Sequence, residues 1–405
     1  MAAPWCMLRS ARGWVNMTER FDDDRFIRCE PMEIATGWPY GLLPPTPLPD
    51  EPRSPREALE DAIRPALRHA PCYVTFSGGR DSSAVLAVAT ALARREGHDL
   101  PIPVTRVYPN LPATDEDDWQ QLVINHLQLN DWVRLEFTGG ETEILGAAAQ
   151  DSLLARGVFF PAPLHAHATV FGRLEPGSLL TGEGGDAALG SRRGTALALL
   201  RRRRANPAIL WHAVDAALPR PIQRVITGRM MRRHSLQTRW LKPAALRRHV
   251  RRATEDIIAE PLLYPAGTWF VSRLRSFVLI RHNHTAMAAE FGLRASDPLL
   301  DDGFLAALAR VGGRLGFTSR TSAMGALFSD VLPRPVLIRN TKAAFNQAHG
   351  GSSTRDFART WDGTGVDPDL VDIERLRELW LTEDQTMITG LLLHSAWLAS
   401  QGASK

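Results

Sequence analysis

The residues best suited to chemistry lie in two glycine-rich stretches. The first is Val74-Thr75-Phe76-Ser77-Gly78-Gly79-Arg80-Asp81-Ser82-Ser83. Adjacent glycines let a backbone turn sharply and come close to a ligand. Ser82 and Ser83 can cap a helix and offer hydroxyls. Unpaired amides at a helix start bind anions, phosphates above all. Asp81 is a poor phosphate contact by itself, but it suits a Mg²⁺ that carries the phosphates. The stretch is not a Walker loop, because it has no Gly-Lys-Ser/Thr. The second stretch is Gly182-Glu183-Gly184-Gly185-Asp186. Asp186 can be a second carboxylate on Mg²⁺, opposite Asp81, and Glu183 can face a reacting carbonyl. Either stretch alone could be a plain glycine turn; the pair is far more specific.

The surrounding pattern supplies elements to position them. Tyr73 to Phe76 is apolar and β-branched or aromatic, which predicts a buried strand. Ala84 to Ala93 predicts a helix that ends at Arg94-Arg95 and is stopped by Gly97. Ile102–Tyr108 and Trp132–Phe137 read as further strands, with a helix between them that opens on Thr114-Asp115-Glu116-Asp117-Asp118. Ser178–Thr181 is a fourth short strand, feeding the second glycine-rich stretch. This alternation predicts an α/β fold with a doubly wound parallel sheet, both loops opening onto one crevice at the carboxyl ends of its strands. From Thr195 onward the pattern is helical almost to the end, so a largely helical C-terminal part is expected.

Upstream, residues 1–54 read as an extension and proline-rich linker, with Pro44, Pro45, Pro47, Pro49 and Pro52 suiting a strap over the surface. Ser54-Pro55-Arg56-Glu57 then has the capping-box pattern that opens a helix. A chain of 405 residues has room for two domains or one large one. No apolar run reaches membrane-spanning length, and Met1-Ala2-Ala3-Pro4-Trp5-Cys6 lacks the signature of a signal peptide, so a cytoplasmic location is expected. Cys6, Cys29 and Cys72 are too few and too scattered for a disulfide framework or a zinc site. The net charge of +4 hides a local excess of arginine over residues 192–252, a solvated face or a surface for an acidic partner protein, peptide or nucleic acid.

The first stretch resembles the pyrophosphate (PP) loop of the N-type ATP pyrophosphatases, which cleave ATP between its α- and β-phosphates. With the second, it resembles the synthetase domain of asparagine synthetase, β-lactam synthetase and the lasso-peptide cyclases. Met287-Ala288-Ala289-Glu290-Phe291-Gly292-Leu293, Pro298-Leu299-Leu300-Asp301 and Leu332-Pro333 through Arg339-Asn340-Thr341-Lys342-Ala343-Ala344-Phe345 resemble further motifs of that family. The resemblance covers about residues 55–401, taken here as one synthetase domain. It implies that ATP and Mg²⁺ are used. Ser77, Gly78, Gly79, Ser82 and Ser83 would hold pyrophosphate, and Asp81 and Asp186 the metal. Val74, Phe76, Val107 and the Gly182 backbone would line the adenine end. Lys342 would stabilise the adenylate and the transition state, and Glu183 would sit near the incoming amine.

Two departures narrow the expected reaction. Asparagine synthetase carries a glutaminase domain with an N-terminal cysteine nucleophile. Here Met1-Ala2 precede the internal Cys6, so glutamine hydrolysis is not expected. Leu293-Arg294-Ala295-Ser296 stands where that enzyme typically reads Leu-Glu-Ala-Arg, so the acceptor pocket is altered. The expectation is an ATP-dependent ligase of specialised metabolism that joins a small-molecule or peptide carboxylate to an amine, within one molecule (a lactam or macrolactam) or between two, or to ammonia. The alternatives are a PP-loop enzyme acting on tRNA and a non-catalytic relative. The missing paired cysteines count against the former, and the intact Asp81, Asp186 and Lys342 against the latter.

Overall fold

The computed structural model describes residues 7–10, 13–16, 25–137, 140–204, 206–233, 238–341, 349–382 and 387–403. Near the start, β1 (Met7–Ser10) and β2 (Gly13–Asn16) pair antiparallel. The main sheet has five parallel strands: β3 (Cys72–Thr75), β4 (Ile102–Val107), β5 (Val133–Glu136), β6 (Gly177–Leu180) and β7 (Leu293–Ser296). Their order across the sheet is β5-β4-β3-β6-β7. The chain leaves β3 toward one edge and later returns beside it as β6, so the direction of winding reverses between these two strands. Ligands collect at such a switch point, beyond the carboxyl ends of the strands. The Ser77 loop follows β3 and the Gly182 loop follows β6, so both open there.

The helix Arg80–Glu96 carries the phosphate loop into the core. Val85, Leu86, Val88 and Leu92 are fully buried in a cluster shared with the helices Pro55–Leu67 and Asp302–Val311. Burial on all sides explains its apolar run, since such a helix has no solvent stripe. The Pro55–Leu67 helix opens on the foreseen capping box: Glu57 N–H donates to Ser54 Oγ at 3.2 Å, and Ser54 N–H donates to Glu57 Oε2 at 2.8 Å.

The structure corrects three expectations. The sheet has a fifth strand, β7, inside the region read as helical. Ser82 and Ser83 do not cap the helix; they lie in its first turn behind Gly79, which takes the cap position without a side-chain bond. Residues 25–53 are more than a linker. The helix Pro31–Thr36 buries Met32 and Ala35 in a second core with Trp240, Trp361 and Trp380. Trp240 Nε1–H donates to Ala35 O at 2.8 Å. The proline-rich strap is held by Trp269 Nε1–H donating to Thr46 O at 3.0 Å and by Leu43 N–H donating to Arg273 O at 2.8 Å.

Glu33 fastens this segment. It is fully buried, accepts from the backbone amides of Glu30 (2.9 Å) and Tyr40 (2.8 Å), and pairs with the Arg275 guanidinium. Glu33→Ala would strand a cation and two amides, so we expect a loss of about 3–5 kcal/mol of stability. A drop in the chemical-denaturation midpoint would show it; a midpoint equal to the parent's would contradict the anchoring role.

Candidate active site

Glycine at two positions lets the two loops touch. A Cβ on Gly185 would lie 2.3 Å from the Asp81 carboxyl carbon, and one on Gly182 would lie 2.6 Å from Ser82 N. Gly184, at φ +78°, takes a backbone conformation that side chains disfavour, and a Cβ there would strike Leu300. Any larger residue at Gly182 or Gly185 would force the second loop off the first.

The phosphate loop itself is preorganised. Gly78 turns at φ +76° against Gln120. Ser77 and Ser82 hydroxyls lie 3.2 Å apart, Ser77 N–H donates to Ser82 Oγ at 3.3 Å, and Gly79 N–H donates to Ser77 Oγ at 3.3 Å. Because Gly79 brings no capping side chain, the first-turn amides of the following helix keep their anion-binding capacity. Arg339 braces the loop from below: its Nη1–H donates to Gly78 O at 2.8 Å while the guanidinium pairs with Glu116 and stacks over Trp119, 4.5 Å from the ring centre.

Asp81 and Asp186 converge on one cation. The Arg320 guanidinium donates to both oxygens of Asp81 and to Asp186 Oδ1. Arg320 is the first residue of a helix capped by Ser319. Burial raises the Asp81 pKa, and the charge of Arg320 opposes that rise. A buried carboxylate of this kind gains from any cation beside it. The Asp81 side chain is 17% exposed and that of Asp186 is 64% exposed, so the pair opens to solvent on the Asp186 side. Two convergent carboxylates beside an anion-binding turn fit a Mg²⁺ that takes its other ligands from phosphate oxygens and water. Among the described residues no group of three or more His, Cys, Asp or Glu side chains that could hold a metal exists.

The remaining candidates fall in two groups. Glu183 is exposed, and its N–H donates to Thr181 Oγ1 at 3.0 Å; that hydroxyl in turn donates to the buried Asp297 beyond β7. His284 Nδ1 lies 3.8 Å from Asp297 Oδ1. Further along the carboxyl edge, Arg106 Nη1 approaches His167 Nε2 at 3.4 Å. Burial holds both histidines below the usual imidazole pKa, so neutral rings line this side. Val74 and Phe76 are buried side chains of the core, Phe76 packing edge-on against Trp132, whereas Val107 is partly open at the end of β4. Ser83 is fully buried with its hydroxyl unpaired. Lys342 lies outside the described residues. Arg294 is exposed on β7.

Sequence reasoning did not single out Arg320, Arg339 or Asp297. Arg339 stands in the same motif as Lys342 and could have been flagged there. Thr318-Ser319-Arg320-Thr321-Ser322 carries no such signal.

No curated protein matches the chain. A model of the asparagine synthase family matches residues 55–399, from the capping box of the helix before β3 to the last helix, and so takes in both loops, Arg320 and Arg339. The chain belongs to the asparagine synthase family, whose members are ATP-dependent amide-forming ligases.

Proposed function

We propose that this chain adenylates a substrate carboxylate and passes the acyl group to an amine. The observation that carries the reading is the convergence of Asp81 and Asp186 beside the uncapped Ser77-Gly78-Gly79 turn. In the first step a carboxylate oxygen bonds to the α-phosphorus of ATP, the α–β phosphoanhydride bond breaks, and pyrophosphate leaves. In the second, the amine nitrogen bonds to the acyl carbon, loses a proton, and AMP leaves. The backbone amides of the loop, with the Ser77 and Ser82 hydroxyls, would hold the pyrophosphate. Mg²⁺ held by Asp81 and Asp186 would offset its charge. Arg320 must then give up the carboxylates by rotation of its side chain, at the first position of its helix.

Glu183 is our candidate to accept the amine's proton, its loop fixed by the bond to Thr181. Lys342 is our candidate cation for the tetrahedral oxyanion, a mobile point charge with three donors. Val107 and the Gly182 backbone would border the adenine. Leu293-Arg294-Ala295-Ser296, in place of the Leu-Glu-Ala-Arg typical of asparagine synthetase, favours a substrate other than aspartate, consistent with a ligase of specialised metabolism that closes a lactam or macrolactam. Residues 55–401 would form the catalytic unit, braced by residues 25–53.

Pyrophosphate release, screened over candidate carboxylates and amines, tests the reading. Asp81→Asn and Asp186→Asn should each abolish release while leaving the circular-dichroism spectrum unchanged, because a site with two protein ligands cannot lose one. Near-parental turnover in both would refute the metal assignment. For Lys342→Ala, ATP affinity should stay near the parent's while single-turnover amide formation slows by roughly 10²–10³-fold, the usual cost of removing one transition-state donor. An unchanged single-turnover rate would place Lys342 outside the chemistry.

A further inference from the structure

We propose that the groove between the helices Arg220–Arg233 and Pro243–Ile258 binds an acidic peptide segment, at a site separate from the adenylation crevice. The groove has a volume of about 510 Å³. One wall is a single stripe of the first helix, Arg224, Gly228 and Arg232, four residues apart. The other is a stripe of the second, on which Arg247, Arg248 and Arg251 line the space. Glu255 pairs with Arg224 through two bonds of 2.5 and 2.9 Å and neutralises one end. No carboxylate among the described residues pairs with Arg232, Arg247, Arg248 or Arg251. Four like charges facing one channel repel each other and are stabilised by an anionic occupant.

A second observation points to a ligand. Thr254 lines the same groove, is 2% exposed, and its Oγ1 has no hydrogen-bond partner. A buried unpaired hydroxyl costs free energy until something bonds to it. Gly228 lies opposite: a Cβ there would meet only Thr254 Oγ1, at an ordinary 3.8 Å. Alanine would therefore fit and would favour the helix by about 1 kcal/mol. The glycine keeps the floor of the groove open in front of the hydroxyl.

The shape and lining select among anions. From Arg224 to Arg232 is about 12 Å of helix, long for one phosphate and suited to a chain with repeated charges. Among the described residues the lining has no aromatic side chain on which bases of a single strand could stack. A duplex or a lipid headgroup layer meets basic residues across a broad face, whereas these four arginines line one groove between two helices. A peptide supplies carboxylates at intervals for the arginines and backbone groups for Thr254.

The test is fluorescence anisotropy of the whole chain with a labelled decamer of alternating glutamate and alanine, against the glutamine–alanine decamer, a uridine decamer and phosphatidylserine vesicles. The acidic peptide should bind, weaken as salt rises, and outcompete the other three. Arg247→Glu with Arg248→Glu should reduce its affinity at least about tenfold. Gly228→Leu, which fills the channel without changing charge, should do the same, and circular dichroism checks that both variants are folded. If the double reversal unfolds the chain, Gly228→Leu alone decides. Equal peptide affinity in a folded Gly228→Leu variant overturns the proposal, as does preferential binding of the uridine decamer or the vesicles. Loss of ATP or pyrophosphate chemistry would count against the adenylation reading and leave this binding result standing.

Discussion

The site depends on one arrangement: two carboxylates from different loops, Asp81 and Asp186, facing the same cation. Without a positive charge between them they would repel each other at close range, and burial already raises the Asp81 pKa. Arg320 supplies that charge. A guanidinium delivered by a flexible side chain can be exchanged for a divalent ion without moving the backbone.

Everything around the pair serves that proximity. The sheet order puts the two loops side by side at the switch between β3 and β6. Gly182 and Gly185 remove the side chains that would hold the loops apart. Arg339 fixes the underside of the first loop through Gly78 O, and the Asp297–Thr181–Glu183 chain of hydrogen bonds fixes the second. The second loop is thus tied to β7 and to the polar side of the crevice where an acceptor would enter. A change in the acceptor region can reach Glu183 through those bonds.

Much of this was legible in the sequence because the signals are local. Two glycine-rich turns follow short apolar strands, and Ser54 with Glu57 marks a helix start within four residues. The parts that escaped depend on distant partners. β7 is four residues of mixed character, Leu293-Arg294-Ala295-Ser296, and becomes a strand by pairing with β6. The helix Pro31–Thr36 has no strong period of its own; Glu33 finds Arg275 across 242 positions and Ala35 finds Trp240 across 205. Arg320 sits in a run of serines and threonines with no motif, and its role follows only from where its helix begins. Ser82 and Ser83 suit a cap by residue type, and nothing in those types tells that the helix starts at Arg80, ahead of them.

The claim that Arg320 occupies the place of a divalent cation can be measured directly. Manganese binding, followed by loss of the free-ion electron paramagnetic resonance signal, should be compared for the parent chain and Arg320→Ala in the absence of nucleotide. With the competing guanidinium removed, two unpaired carboxylates should bind manganese at least about tenfold more tightly than the parent does. Equal affinity in the two proteins would mean that Arg320 and the metal do not share a site, and would contradict the account.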